Sequence, residues 1–418
     1  MSVSYHRSGL VFTEHTITVP LDHSRPDGAS IEVFAREAVA AGRQNEDLPW
    51  LLYLEGGPGY SAPRAPKAWL SRAAREYRVL LLDQRGTGRS TPANRKTLAA
   101  IDDPAVYLRH FRADSIVRDA EALRAHLAGD RPWSVLGQSY GGFCALTYLS
   151  LAPEGLREVM IAGGLPSLTA SPADVYRATY PRVLAQNERY FARYPGDVAA
   201  ARRVADHLRW REEFLPGGER LSARRFQTLG LAFGLASSFD TLHDVLEEAF
   251  VNEKELSDTF LRRVDAMVSY AERPLYALLH EAAYCQGEAS GWAAHNALGE
   301  FPEFDLELGG PVRFFGEMIF PWFFAEDPAL VPLRDCAEAL AAHRSWPRLY
   351  DLDRLDGNTV PVAAAIYHDD MYMDRDHSLR TAGMVRELAH WITNEHTHDA
   401  LGVAGGDVLD RLITMVRR

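Results

Sequence analysis

Cysteine is scarce. The three in the chain, Cys144, Cys285 and Cys336, form no CxxC pair and are too few for a disulfide framework, which fits a reducing compartment. Positive charge is in deficit: 45 Lys and Arg face 57 Asp and Glu, and the net charge of −12 argues against nucleic acid or an anionic membrane surface as partner. Nowhere do about 18 apolar residues run together. The opening MSVSYHRSGLVFTEHTITV has no basic segment leading into an apolar one, so neither a membrane span nor an export signal is expected. These absences point to a soluble, cytoplasmic protein. HExxH and EF-hand patterns are also missing, so no structural metal is expected.

What is present is an ordinary globular composition, 47% hydrophobic and 24% charged over 418 residues, which excludes a disordered or long coiled-coil chain. The first third alternates strands with helices. Short apolar runs at Ile31 to Phe34, Trp50 to Leu54 and Val79 to Leu82 end in Gly- or Asp-rich loops, as buried parallel strands do. Ile116, Ala120, Leu123 and Leu127 place one apolar stripe on a helix from Ala113 to Leu127, with Asp114 or Ser115 as its cap. A strand at Trp133 to Leu136, a helix at Gly141 to Leu151 and a strand at Val159 to Ala162 complete a βαβα pattern. From about Ser167 to Leu355 the text turns helical, including Tyr176 to Tyr194 and Ser222 to Glu248. Strands resume at Val360 to Tyr367 and near Trp391, with helices at Leu379 to Leu388 and Asp407 to Val416. The predicted fold class is therefore α/β: one mostly parallel sheet built from residues 1–166 and 356–418, interrupted by a helical cap at 167–355.

Gly137-Gln138-Ser139-Tyr140-Gly141 is a GxSxG set between a predicted strand and a predicted helix. Its glycines permit the tight turn that lifts a serine hydroxyl clear of a sheet, with a helix N-terminus behind it. A serine nucleophile needs a base, and the base an orienting carboxylate, in the chain order Ser, acid, His. Asp370 and Asp369 both follow the Val360 to Tyr367 strand; His398, His396 and His368 all compete for the base, because strand-end position does not separate neighbours. Upstream, Glu55-Gly56-Gly57-Pro58-Gly59 closes another strand, where the Gly57 N–H, with that of Tyr140, would form an oxyanion hole. The Asp83 to Ser90 loop reads as structural, with Arg85 or Arg89 pairing to Asp83 or another carboxylate.

Taken together, Gly56-Gly57-Pro58-Gly59, Asp83-Gln84-Arg85-Gly86-Thr87-Gly88-Arg89-Ser90, Gly137 to Gly142, Phe111 to Asp119, Leu279-His280-Glu281, Gly316 to Trp322, Asp370-Met371-Tyr372 and Trp391 to Glu395 resemble the prolyl aminopeptidases (proline iminopeptidases) of the α/β-hydrolase superfamily, in their longer form. That resemblance implies Ser139 as nucleophile, Asp370 as acid and His398 as base. It also implies Glu281 and Glu317, both in the cap, as carboxylates for the substrate's secondary ammonium, and Cys285 as a thiol near the substrate, sensitive to thiol reagents. A compact proline ring suits an aromatic pocket, for which Tyr140, Tyr284, Phe315, Phe320 and Trp322 are candidates. Glu55 is a departure, since many members carry His before the two glycines. The expected activity is a serine exopeptidase, without cofactor, on peptides with a free N-terminal proline. A broader aminopeptidase or carboxylesterase on the same fold is the alternative enzyme, and an inert binding protein the alternative outside catalysis.

Overall fold

The computed structural model describes residues 3–418. Nine strands form one sheet: β1 (Ser4–Arg7), β2 (Leu10–Pro20), β3 (Ser30–Ala40), β4 (Trp50–Leu54), β5 (Arg78–Asp83), β6 (Trp133–Gln138), β7 (Leu156–Ala162), β8 (Val362–Tyr367) and β9 (Leu388–Thr393). Their spatial order is β1-β2-β3-β5-β4-β6-β7-β8-β9. From β5 to β9 every pairing is parallel. The Ile31 to Phe34 run does not match the expectation of a parallel strand. It lies within β3, which is longer and antiparallel to both β2 and β5. Short links at Ser8-Gly9 and across 21–29 let β1 to β3 fold back on one another, a geometry open to hairpins and not to parallel crossovers.

Side-chain alternation divides the sheet residues between two cores. Leu52, Leu54, Leu80, Leu82, Val135, Val159 and Ile161 pack under the helices Ala113–Ala128 and Tyr140–Leu151. Their neighbours Leu51, Tyr53, Val79, Leu81, Leu136 and Met160 pack on Ala68–Ala73 and Gly405–Val416. The helix at 113–128 is capped differently from the sequence expectation: Arg112 is its N-cap and makes no side-chain cap bond, while Asp114 sits inside the first turn. Arg112 is turned inward instead, toward the cap.

Between β7 and β8 the chain forms helices and 3₁₀ turns around an aromatic core that includes Tyr180, Tyr190, Phe226, Phe233, Phe314 and Phe320. The stretch Ser222 to Glu248 is not one helix. It breaks into Ala223–Gln227, a 3₁₀ segment Thr228–Gly234 and Ser238–Glu247. Gly230 and Gly234 depress helix propensity there, and the 3₁₀ segment descends over the carboxyl ends of the strands. No helix among the described residues is long and apolar enough to cross a membrane.

Candidate active site

β6 ends at Gln138 and the helix Tyr140–Leu151 begins two residues later, leaving Ser139 alone to make the turn at φ 80°, ψ −115°. That positive φ is uncommon for a residue with a Cβ and marks a backbone held in place by its surroundings. Gly141 makes the turn possible: a Cβ there would lie 2.0 Å from the Leu54 carbonyl oxygen. His398 Nε2 lies 2.9 Å from Ser139 Oγ, and His398 Nδ1 lies 2.7 Å from Asp370 Oδ2. The other carboxylate oxygen of Asp370 accepts the N–H groups of Tyr372 (2.8 Å) and Met373 (3.1 Å). Ser139, His398 and Asp370 thus sit in the order that proton transfer from an alcohol to an oriented imidazole requires.

The competing side chains lie elsewhere. Asp369 pairs with Arg189 at 2.9 Å and with His368 at 2.9 Å, and the His396 ring packs edge-on to Trp391. His398 is itself fixed from two directions: its N–H donates to the Gly234 carbonyl of the cap (3.2 Å), and its carbonyl accepts from Gln138 Nε2 (3.1 Å). Burial by itself holds the imidazole pKa down, but the charge and hydrogen bond of Asp370 outweigh burial and raise it above the ordinary value of 6.5.

In the loop after β4 the Gly56 N–H donates to Glu55 Oε1 at 3.0 Å. The N–H groups of Gly57 and Tyr140 donate to no acceptor among the described residues, and both residues line the same small compartment as Ser139. Gly57 has φ 122°, and a Cβ on it would meet the Gly59 nitrogen and the Tyr60 ring at 2.8 Å, so this donor position needs glycine. Burial raises the Glu55 pKa against the opposing hydrogen bond from the Gly56 N–H. The Asp83 loop is structural, but its arginines do not pair with Asp83. Arg85 pairs with Asp119 at 2.5 Å and Arg89 with Glu14, while Asp83 accepts the N–H groups of Ala62 and Arg89.

A cavity of about 380 Å³ opens over Ser139 and His398, within the size of a small-molecule site. Its walls include Tyr60, Tyr276 and Tyr372, the apolar Leu229, Leu231 and Met267, and the charged Glu55, Glu317 and Arg273. Glu317 also borders a small space of about 10 Å³ shared by Gly57, Ser139, Tyr140 and Tyr284. Its carboxylate accepts from the Tyr276 hydroxyl at 2.5 Å and is in no ion pair among the described residues.

Several expected substrate residues lie outside this cavity. Glu281 is buried and accepts the N–H groups of Ala293 (3.1 Å) and Ala294 (2.9 Å), so its carboxylate caps the helix Ala293–Leu298 and does not face Ser139. Phe315, Phe320 and Trp322 pack with Phe304 and Phe323 in the cap core. Cys285 is fully buried against the Glu281 carbonyl (3.4 Å), and burial pushes its thiol up to about 12. Tyr60, Leu229, Met267, Arg273 and Tyr276 line the cavity without having been singled out from the sequence. Tyr60 directly follows the Gly56-Gly57-Pro58-Gly59 motif and Tyr276 stands three residues before Leu279-His280-Glu281, whereas Leu229, Met267 and Arg273 sit in stretches with no motif.

The family model for the alpha/beta hydrolase fold matches residues 49–216. The chain is 48% identical to a proline iminopeptidase of Aeromonas sobria, over 99% of this chain and 98% of that one. It is 37% identical to the proline iminopeptidase aneH of Aspergillus aculeatus, over 96% and 93% of the two chains. The crystal structure of proline iminopeptidase from Mycobacterium smegmatis matches with a TM-score of 0.47 and 15% identity, covering 96% of this chain and 98% of that one. At 48% identity along nearly its whole length, the chain belongs to the proline iminopeptidase family, serine hydrolases of the α/β-hydrolase fold.

Proposed function

We propose that this protein is a prolyl aminopeptidase in which Ser139, His398 and Asp370 release N-terminal proline from peptides. The observation that carries the reading is an unpaired carboxylate, Glu317, in the same cavity as a serine already hydrogen-bonded to an oriented histidine. A half-buried anion with one neutral hydrogen bond is a poor resting state and a strong attractor for a cation. A free proline N-terminus supplies that cation as a secondary ammonium with two N–H donors. A blocked N-terminus supplies none, and would leave Glu317 desolvated without a partner.

The steps follow from the geometry. With the ammonium at Glu317 and the pyrrolidine ring against the tyrosine wall, the scissile carbonyl lies over Ser139. His398 takes the serine proton as the oxygen attacks, Asp370 stabilises the imidazolium, and the N–H groups of Gly57 and Tyr140 receive the negative oxygen. His398 then returns the proton to the leaving amine. Water, deprotonated by the same imidazole, hydrolyses the prolyl ester and frees proline. No step calls on a metal or a bound coenzyme. The two parts of the work fall to separate lengths of chain: a catalytic unit at 1–166 and 356–418, and a cap at 167–355 that contributes Glu317. Three buried, unpaired thiols suit a cytoplasmic setting.

Hydrolysis of H-Pro, H-Ala and N-blocked Pro arylamides, with an acyl ester alongside, tests the reading. Release from H-Pro should exceed that from the blocked substrate by at least about 10²-fold, the scale of a lost charge-assisted contact plus a stranded carboxylate. Equal turnover of blocked proline, or preference for the ester, would reject the aminopeptidase.

A further inference from the structure

The cavity that holds Glu317 also holds one cation, Arg273, at the N-terminal end of the helix Pro274–Leu279. Its side chain donates a single hydrogen bond, from Nη1 to the Tyr60 hydroxyl at 2.9 Å, and the guanidinium lies 5.5 Å from the Tyr60 ring centroid. It forms no ion pair among the described residues, although the chain is rich in carboxylates. Its remaining N–H donors are not sealed in protein, unlike the unpartnered buried nitrogens of Arg36, Arg72, Arg109 and Arg112. Arg273 itself lines the cavity.

Glu317 and Arg273 are built as a matched pair that does not touch. Each is tethered by one tyrosine hydroxyl, Tyr276 for the anion and Tyr60 for the cation, and the two rings stand edge to face, 5.7 Å apart at 89°. The two charges are thus held on adjoining tyrosines of one cavity wall without forming an ion pair with each other. A wall that carries an anion and a cation left unpaired with each other is complementary to a zwitterion. Ser139 and His398 lie in the same chamber.

Resting on the aminopeptidase reading, we infer that Arg273 binds the C-terminal carboxylate of the substrate, and that the enzyme is tuned to short peptides, of two or three residues. Those are the peptides whose two charged termini fit together inside about 380 Å³. Arginine presents a planar fork that can take a carboxylate through two parallel hydrogen bonds. The apolar Leu229, Leu231 and Met267 receive the side chain that follows proline. Longer peptides must leave the cavity before their carboxylate and lose this contact.

The test compares kcat/KM for Pro-Xaa and Pro-Xaa-Xaa as free acids and as C-terminal amides, following released proline. For the wild type the acid should exceed the amide by about 10-fold or more, the scale of one charge-assisted pair. The advantage should vanish once several residues are added. In Arg273→Gln the acid-to-amide ratio should fall to about one, while Arg273→Lys should restore part of it. If Arg273 only braces Tyr60, acid and amide fall together in the variant and the ratio is unchanged, which overturns the inference. A wild type that cleaves H-Pro arylamide with an acid-to-amide ratio near one also overturns it, and leaves the aminopeptidase standing. Failure to release proline from any of these substrates overturns both.

Discussion

At the scale of single residues, the chemistry turns on where charge is left uncompensated. Asp370 holds His398 in one tautomer and raises its pKa, so activity should disappear as the pH falls through a value above 6.5, with the neutral imidazole as the active form. In Asp370→Asn an amide N–H would face Nδ1 and favour the wrong tautomer. kcat/KM should drop by about 10⁴-fold, and the residual acid limb should move to lower pH, as pH–rate profiles of the two proteins will show. The amide oxygen of that variant can still accept from Tyr372 and Met373, so the folded structure, followed by circular dichroism, should persist. Glu317→Gln keeps the shape and a partner for Tyr276 but removes the charge. KM for H-Pro arylamide should rise by about 10- to 100-fold, with a much smaller change for an uncharged ester. Cys285 offers a contrasting expectation: alkylating reagents should modify it slowly or not at all under native conditions, which mass spectrometry of the treated enzyme can establish.

At the scale of elements, the nucleophile turn is the tightest piece of construction. Gly141→Ala would drive a methyl into the Leu54 carbonyl, and nothing flexible stands there to yield. The variant should lose about 2 kcal/mol or more of stability, measurable by urea unfolding, as well as activity. This turn was readable from sequence because its requirements are local: strand, glycine, serine, glycine, helix within one short stretch. The parallel strands from β4 onward were readable for a similar reason, each being an apolar run closed by turn residues. The β1 to β3 hairpins were not, since exposed polar residues in β1 and β2 and the buried Arg36 and Glu37 in β3 interrupt the apolar pattern. Glu281 and Glu317 show where local reading ends. Both stand in family-like motifs, but one side chain turns back to the N–H groups of Ala293 and Ala294 while the other faces Ser139, a choice made by the packing of distant cap segments. The aromatic lining fails the same test: Phe320 and Trp322 have the composition of a pocket and the position of a core.

At the scale of the whole molecule, the cap and the sheet are joined by buried polar contacts as well as by chain connection. Arg112, beside a sheet helix, donates to the carbonyls of Ala282 (2.9 Å), Cys285 (2.6 Å) and Pro347 (2.7 Å), all in the cap, and stacks on Trp346. Three carbonyls satisfied by one guanidinium leave no local substitute. Arg112→Ala should destabilise the protein by about 3 kcal/mol, seen as a lower midpoint of urea unfolding. The elements it joins lie beside Tyr284 and the small compartment, so activity should fall at temperatures where the sheet is still folded.

The partners in the Ser139–His398 hydrogen bond are 259 positions apart, with the entire cap between them. A chain still emerging from the ribosome therefore carries its nucleophile long before its base, and passes its own synthesis unable to attack the peptides around it. Reactivity arrives only once the stretch that carries His398 has been made and folded against Ser139.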